Sequence, residues 1–352
     1  MKIHFFVPPA AETIGGLDSA IQSLRGFLES RGIPVTTNIN LEYLRQNDER
    51  RLVHFHGLWQ PHFPRVSAYC RKQGIPYIIS PHGMLEPWAW KHKWWKKWPY
   101  YYLRERSHLT QSNMILATSE QEANNLASFV SPKKITAIPL GLPAEVGSNY
   151  RAARQKLGWR EDELIFLFLS RIHPKKGLDL LLRALQGLAL RLPDKWRLVI
   201  VGDGEASYVA ECRRYVESHQ KLLHRVEWRG AVWGAEKWDY YQGADLYCLP
   251  SYSENFGLAV LEACQVGTRV LTSRFTPWSF LNDWGAGFIV EPLVESIQKG
   301  FQAFLESEKW GDAKRLNLAS RIHEQFSWSR VGQLYVELYQ KLTNPKITGH
   351  EL

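Results

Sequence analysis

A chain of 352 residues is long for a single hydrophobic core and predicts two domains of ordinary size. With 45% hydrophobic and 22% charged residues it reads as a folded protein, and no apolar run approaches the roughly 18 residues that would suggest a membrane span. Cys70, Cys212, Cys248 and Cys264 are scattered with no C-x-x-C, which argues against a disulfide framework and for a reduced, cytosolic protein, while the net charge of +9 favours anionic partners.

The first apolar run, residues 3–7, reads as a strand that ends at Pro8-Pro9, too short for a secretion signal. Ile14-Gly15-Gly16-Leu17 then leads into a helical pattern, and paired glycines let backbone amides approach a ligand closely. Further strands are expected at 53–56, 77–80, 114–118 and 135–138, with helical patterns between most of them. His54 and His56 share one face of the first of these. Both could reach a metal, but no Cys, Asp or Glu at ligand spacing accompanies them, so no metal site is expected. His56-Gly57 and Ser80-Pro81-His82-Gly83 each follow a strand end, where parallel sheets present their ligand-binding loops.

The segment 88–106, opening on Trp88 and closing on Arg106, is rich in aromatic and basic residues. At about 100° per residue, Trp90, Trp94, Trp98 and Tyr101 form one stripe with Lys93, Lys96, Lys97 and Arg104 opposite, and Pro99 should kink the helix. Two uses fit: tryptophans packed in the core beneath solvated lysines, or an anionic membrane surface. Nucleic acid is not expected. Residues 1–150 hold 17 Lys and Arg against 11 Asp and Glu, a modest excess, and no RRM, KH or zinc-finger pattern accompanies it.

Turn formers Pro143, Gly147, Ser148 and Asn149 mark 141–152 as the linker, giving a first domain at 1–145 and a second at 152–325. Strands in the second are expected at 164–169, 198–201, 226–228, 246–249, 270–272 and 288–290, and the β-α alternation of both halves predicts two doubly wound parallel sheets. Arg171 and Lys176 lie in the loop after the 164–169 strand, two cations suited to a diphosphate. Gly202-Asp203-Gly204 is a glycine turn after the next strand. After the 246–249 strand comes Ser-Tyr-Ser-Glu254-Asn255-Phe256-Gly257-Leu258, then an apolar helical run containing Glu262. A carboxylate buried there needs hydrogen-bond donors, and a ribose diol has two.

The stretch from Glu254 to Glu262 resembles the E-x7-E signature of retaining glycosyltransferases of family 4, and Arg171 with Lys176-Gly177 resembles that family's cationic element. The resemblance spans the chain and is strongest over 170–273. It implies the α/β GT-B fold, two Rossmann-like domains facing a cleft, with a last helix at 328–342 crossing back to the first domain. It further implies a retaining, metal-independent hexosyltransferase without a resident cofactor, using a nucleoside-diphosphate sugar of UDP or GDP type as co-substrate. Arg171 and Lys176 would hold the departing diphosphate, Glu254 and His82 the sugar, and Glu262 the ribose. Gly16, Gly202, Asn255, Phe256, Gly257 and Leu258 would line the donor site, with Gly15 and His56 on the acceptor side. The acceptor would be a glycan or lipid-linked hydroxyl in bacterial polysaccharide or glycolipid assembly, and the protein cytoplasmic or peripheral at the inner membrane face. Two rivals remain: a sugar-nucleotide epimerase on the same scaffold, and a non-catalytic protein that binds membrane or polymer through 88–106.

Overall fold

The computed structural model describes residues 1–9, 16–38, 41–46, 51–91, 94–143, 147 and 149–344. The chain divides into two units, Met1–Pro143 with Gln325–Leu352, and Ala144–Glu324.

The first unit holds a parallel sheet in the order β2-β1-β3-β4-β5-β6: β1 Lys2–Phe6, β2 Val35–Thr37, β3 Arg51–His56, β4 Tyr77–Ser80, β5 Met114–Ala117 and β6 Ile135–Ala137. Both faces of β3 and β4 are buried, which is why they read as unbroken apolar runs rather than alternating ones. The edge strand β2 was not expected from the sequence; at three residues it is too short to leave a periodic signal. One face of the sheet packs Ile3, Phe5 and Leu52 against Leu24 and Leu28, and against Val331, Tyr335 and Tyr339. The last three come from the helix Trp328–Thr343, so the final helix completes the core of the first unit.

In the second unit the order is β12-β11-β10-β7-β8-β9, again all parallel: β7 Leu164–Leu169, β8 Trp196–Val201, β9 Val226–Gly230, β10 Leu246–Leu249, β11 Arg269–Ser273 and β12 Gly287–Val290. The winding reverses between β7 and β10, so the loops at their carboxyl ends diverge and leave a crevice, the usual ligand position in such sheets. Within the stretch read as linker, Asn149 caps the helix Tyr150–Leu157 by accepting from the Ala152 N–H, so from there the chain is structured. The sequence read Asn149 as a turn former, and its side chain serves as a helix N-cap. Residues 144–146 and 148 lie outside the described residues, as does everything after Asn344.

The 88–106 stripe does not survive as one face. The segment runs through the helices Pro87–Lys91 and Trp94–Tyr100, a π-helical turn Tyr101–Glu105 and the helix Arg106–Thr110. Pro99 has no N–H to give the preceding turn, and the wider π turn that follows resets the helical phase. Trp90, on the separate helix Pro87–Lys91, and Tyr101 turn inward, against Trp59 and Phe129, while Trp94 and Trp98 are exposed; Lys93 lies outside the described residues. Glu105 is buried in the π turn and accepts from the Trp59 N–H at 3.0 Å. Burial pushes its carboxyl up to about 7, against a smaller lowering by the Trp59 hydrogen bond. An acid raised in the folded state binds its proton more tightly there, so its favourable contribution is present below pH ~4.5 and is lost as pH rises through about 7. Glu105→Gln should remove that loss, up to ~3 kcal/mol above pH 7. Melting curves at pH 5 and pH 8 should show the variant gaining much more on the wild type at pH 8 than at pH 5.

Candidate donor site

The loops at the β7–β10 reversal are fixed by glycines that no other residue can replace without backbone movement. Gly177 adopts φ 70°, and a Cβ there would lie 2.4 Å from the Pro250 carbonyl oxygen. Gly202 has φ 146°, and its Cβ would lie 1.9 Å from the Ser170 carbonyl oxygen. The loops after β7 and β8 are thus in backbone contact, reinforced by the Ile172 N–H donating to Asp203 O at 2.8 Å. Tyr252 N–H donates to Lys175 O at 2.8 Å and ties the β7 loop to the β10 loop.

Across this junction Lys176 Nζ donates to Glu254 Oε1 at 2.5 Å, and Ser251 Oγ donates to the same oxygen at 2.7 Å. Glu254 is buried. Burial alone would raise its carboxyl, but the charge and hydrogen bond of Lys176, the Ser251 hydroxyl and the charge of Lys175 outweigh it and hold Glu254 below its ordinary value. Arg171 stands exposed at the start of the same loop, with no hydrogen bond or ion pair among the described residues. It is an available cation.

Gly257, at φ 70°, is the N-cap of the helix Leu258–Gln265, and no side chain caps that end. The Val260 N–H donates back to the Gly257 carbonyl at 2.9 Å, which leaves those of Leu258 and Ala259 for a ligand's oxygens. The helix begins at Leu258 rather than at Phe256, whose ring is instead buried edge-on against Trp278, centroids 4.7 Å apart. Asn255 is half-buried between Glu254 and Phe256.

Glu262 differs from the sequence expectation in its partners. Its Oε1 accepts from Lys237 Nζ at 2.7 Å and its Oε2 from Tyr241 Oη at 3.2 Å. The protein itself meets the need for donors that burial created, so burial does not by itself demand a ribose. Lys237 and Tyr241 sit four apart on the helix Glu236–Gly243 and share a face. That spacing is visible in the sequence, but nothing there links it to a helix about twenty residues downstream.

In the first unit the sheet reverses between β1 and β3. Gly16 opens the helix Gly16–Ser30 after β1, whereas Gly15 lies outside the described residues. His56, the last residue of β3, is joined to His82 by a 3.1 Å Nδ1···Nε2 hydrogen bond, and their rings stack. His54 bonds Tyr339 Oη and Ser80 Oγ, each at 2.8 Å, which occupies both of its nitrogens. Burial pushes His54 and His56 well below the usual histidine value and His82 to about 3, so all three are neutral at pH 7. His56 Nε2 and His82 Nδ1 are buried with no partner among the described residues, so each keeps an unused hydrogen-bonding position.

His82 is held at φ 51°. The next residue, Gly83, donates its N–H to Glu122 Oε1 at 2.7 Å, while Glu122 Oε2 accepts from the Thr118 N–H and hydroxyl. Ser119-x-x-Glu122 has the sequence form of a capping box, and Ser119 does cap the helix Glu120–Leu126; the glutamate reaches back with Oε2 to Thr118, just before the cap, and out with Oε1 to the His82 loop.

The family described as Glycosyl transferases group 1 matches residues 149–324, and Glycosyltransferase Family 4 matches residues 12–146. A D-inositol 3-phosphate glycosyltransferase of Kribbella flavida is 32% identical over 182 residues, 49% of this chain and 42% of its own length. Another, of Rhodococcus jostii, is 29% identical over 258 residues, 70% of this chain and 56% of its own. The chain thus spans about half the length of these curated relatives. Among solved structures, sucrose-phosphate synthase from Thermosynechococcus elongatus superposes with a TM-score of 0.79 at 21% identity, over 97% of this chain and 99% of that one. Anabaena Alr3699/HepE in complex with UDP and glucose gives 0.74 at 17% identity, over 97% and 100%. At such identities the likeness shows the shared GT-B fold.

Proposed function

We propose, for a chain that belongs to the family 4 glycosyltransferases of group 1, transfer of a sugar from a nucleoside diphosphate of UDP or GDP type to an acceptor hydroxyl, with the anomeric configuration retained. The observation that carries this reading is the Lys176–Glu254 pair joining the β7 and β10 loops at the sheet reversal, with the exposed Arg171 opening the same β7 loop. As the bond from sugar to phosphate breaks, negative charge grows on the diphosphate, and the held ammonium of Lys176, joined by the guanidinium of Arg171 once ligand is bound, stabilises it. Glu254 stays ionised and accepts from sugar hydroxyls with its remaining lone pairs. The open first turn of the helix Leu258–Gln265 donates to phosphate or sugar oxygens, and Glu262 shares its free lone pairs with the ribose.

No covalent nucleophile is needed. Glu254 is already committed to two donors, which blunts it as an attacking group, and the acceptor enters on the face the diphosphate leaves. Neither metal nor cofactor has a role in this scheme. The complex of Anabaena Alr3699/HepE with UDP and glucose favours a uridine donor, and the lipopolysaccharide transferases WaaG and WaaB among the structural neighbours favour polysaccharide or glycolipid assembly.

The test is a melting panel of the purified protein with UDP, GDP, ADP, CDP and TDP. A nucleotide at about one hundred times its dissociation constant adds ~2.7 kcal/mol to the folded state, a shift of several degrees. UDP or GDP should stand out. If no nucleotide moves the transition, the donor site is misassigned; donor turnover with no acceptor present would favour the epimerase.

A further inference from the structure

We infer that the segment 94–106 is a docking surface for a bilayer carrying anionic phospholipids, an inference that stands apart from the transferase reading. Its inner side is anchored. Trp90 and Tyr101 pack at centroid distances of 5.5 Å from each other and 5.2 and 5.6 Å from Phe129, and buried Glu105 holds the π turn to Trp59. The outer side has no such cover: Trp94, Trp95, Trp98 and Tyr102 are all more than half exposed, and Leu103 is 79% exposed. Five large apolar side chains within ten residues make a patch that proteins seldom leave to water.

The charge around this patch is one-signed. Between residues 87 and 119 Glu105 is the only acidic residue, and it is buried, whereas Lys96, Arg104 and Arg106 are exposed. Lys96 Nζ lies 4.9 Å over the Trp95 ring and the Arg106 guanidinium 5.9 Å over that of Tyr102, so cation and aromatic face sit at one level. Indole and phenol rings favour the headgroup boundary, an aliphatic apex favours the acyl chains beneath, and each basic residue adds attraction to an anionic surface. Leu103, the most exposed of the set, decides against nucleic acid, because stacking on bases needs a π-face. Among the described residues no helix is long and apolar enough to cross a membrane, so the segment lies on the surface.

The experiment is flotation of the full chain with vesicles of phosphatidylcholine, with and without phosphatidylglycerol, at low salt. The wild type should float with the anionic vesicles. Trp95→Ser with Leu103→Ser should weaken partitioning at least tenfold, and Lys96→Glu with Arg104→Glu should abolish the preference for phosphatidylglycerol. Both double variants should keep the wild-type melting curve and nucleotide shift, which report folding and the second unit separately from docking. Wild type that remains unbound, a Trp95/Leu103 variant that floats like wild type, or capture by single-stranded oligonucleotide in place of vesicles would each overturn the proposal.

Discussion

Lys176→Met is expected to reduce turnover by about 10²–10³ and to destabilise the second unit by several kcal/mol, ~3–5 being the cost of removing one partner from a buried pair. The two losses have separate causes. The first comes from the missing cation at the leaving diphosphate. The second comes from Glu254, whose buried carboxylate keeps only Ser251 as a close donor once the ammonium is gone. A double variant, Lys176→Met with Glu254→Gln, should recover most of the stability because no unpaired charge remains, and should recover no activity. Denaturant melts and product-release kinetics on the four proteins of this cycle give the answer. If the single variant turned over at the wild-type rate, the leaving-group role of Lys176 would be wrong whatever its stability.

Gly202→Ala should be comparably severe although it removes no functional group. The new methyl would meet the Ser170 carbonyl oxygen at 1.9 Å, a backbone atom that cannot rotate away, at a φ of 146° that an alanine rarely adopts. Either the unit loses ~2–4 kcal/mol, or the β7 loop moves and carries Arg171 with it. Nucleotide-induced stabilisation measured on whatever protein folds should fall by at least tenfold in affinity. A variant that melts and binds as wild type would mean the two loops are not locked together as described.

The parallel sheets were legible because their central strands are buried on both faces and read as short apolar runs closed by glycine and proline. The positions of Arg171, Lys176 and Glu254 were legible for the related reason that strand-loop-helix order places them at carboxyl ends of strands. What the sequence withheld was pairing across distance. Nothing in the text joins Lys237 to Glu262, Glu122 to Gly83 or Tyr339 to His54, since those contacts depend on how helices lie over the sheets. The aromatic stripe failed for a different cause: a fixed angular period cannot foresee a π turn, and one such turn sends Tyr101 inward while Trp98 remains outside.

The second unit is one unbroken stretch of chain, whereas the first is made of two stretches separated by it. During synthesis from the amino terminus, the half made first therefore waits. Until the last helix emerges, the sheet face around Ile3, Phe5 and Leu52 lacks Val331, Tyr335 and Tyr339, and His54 lacks the hydroxyl it bonds. The second unit is under no such delay and has every strand of its sheet in hand before residue 325 is added. A chain released short of Trp328 would thus have a complete second unit and an unfinished first one, with that apolar face open to chaperones.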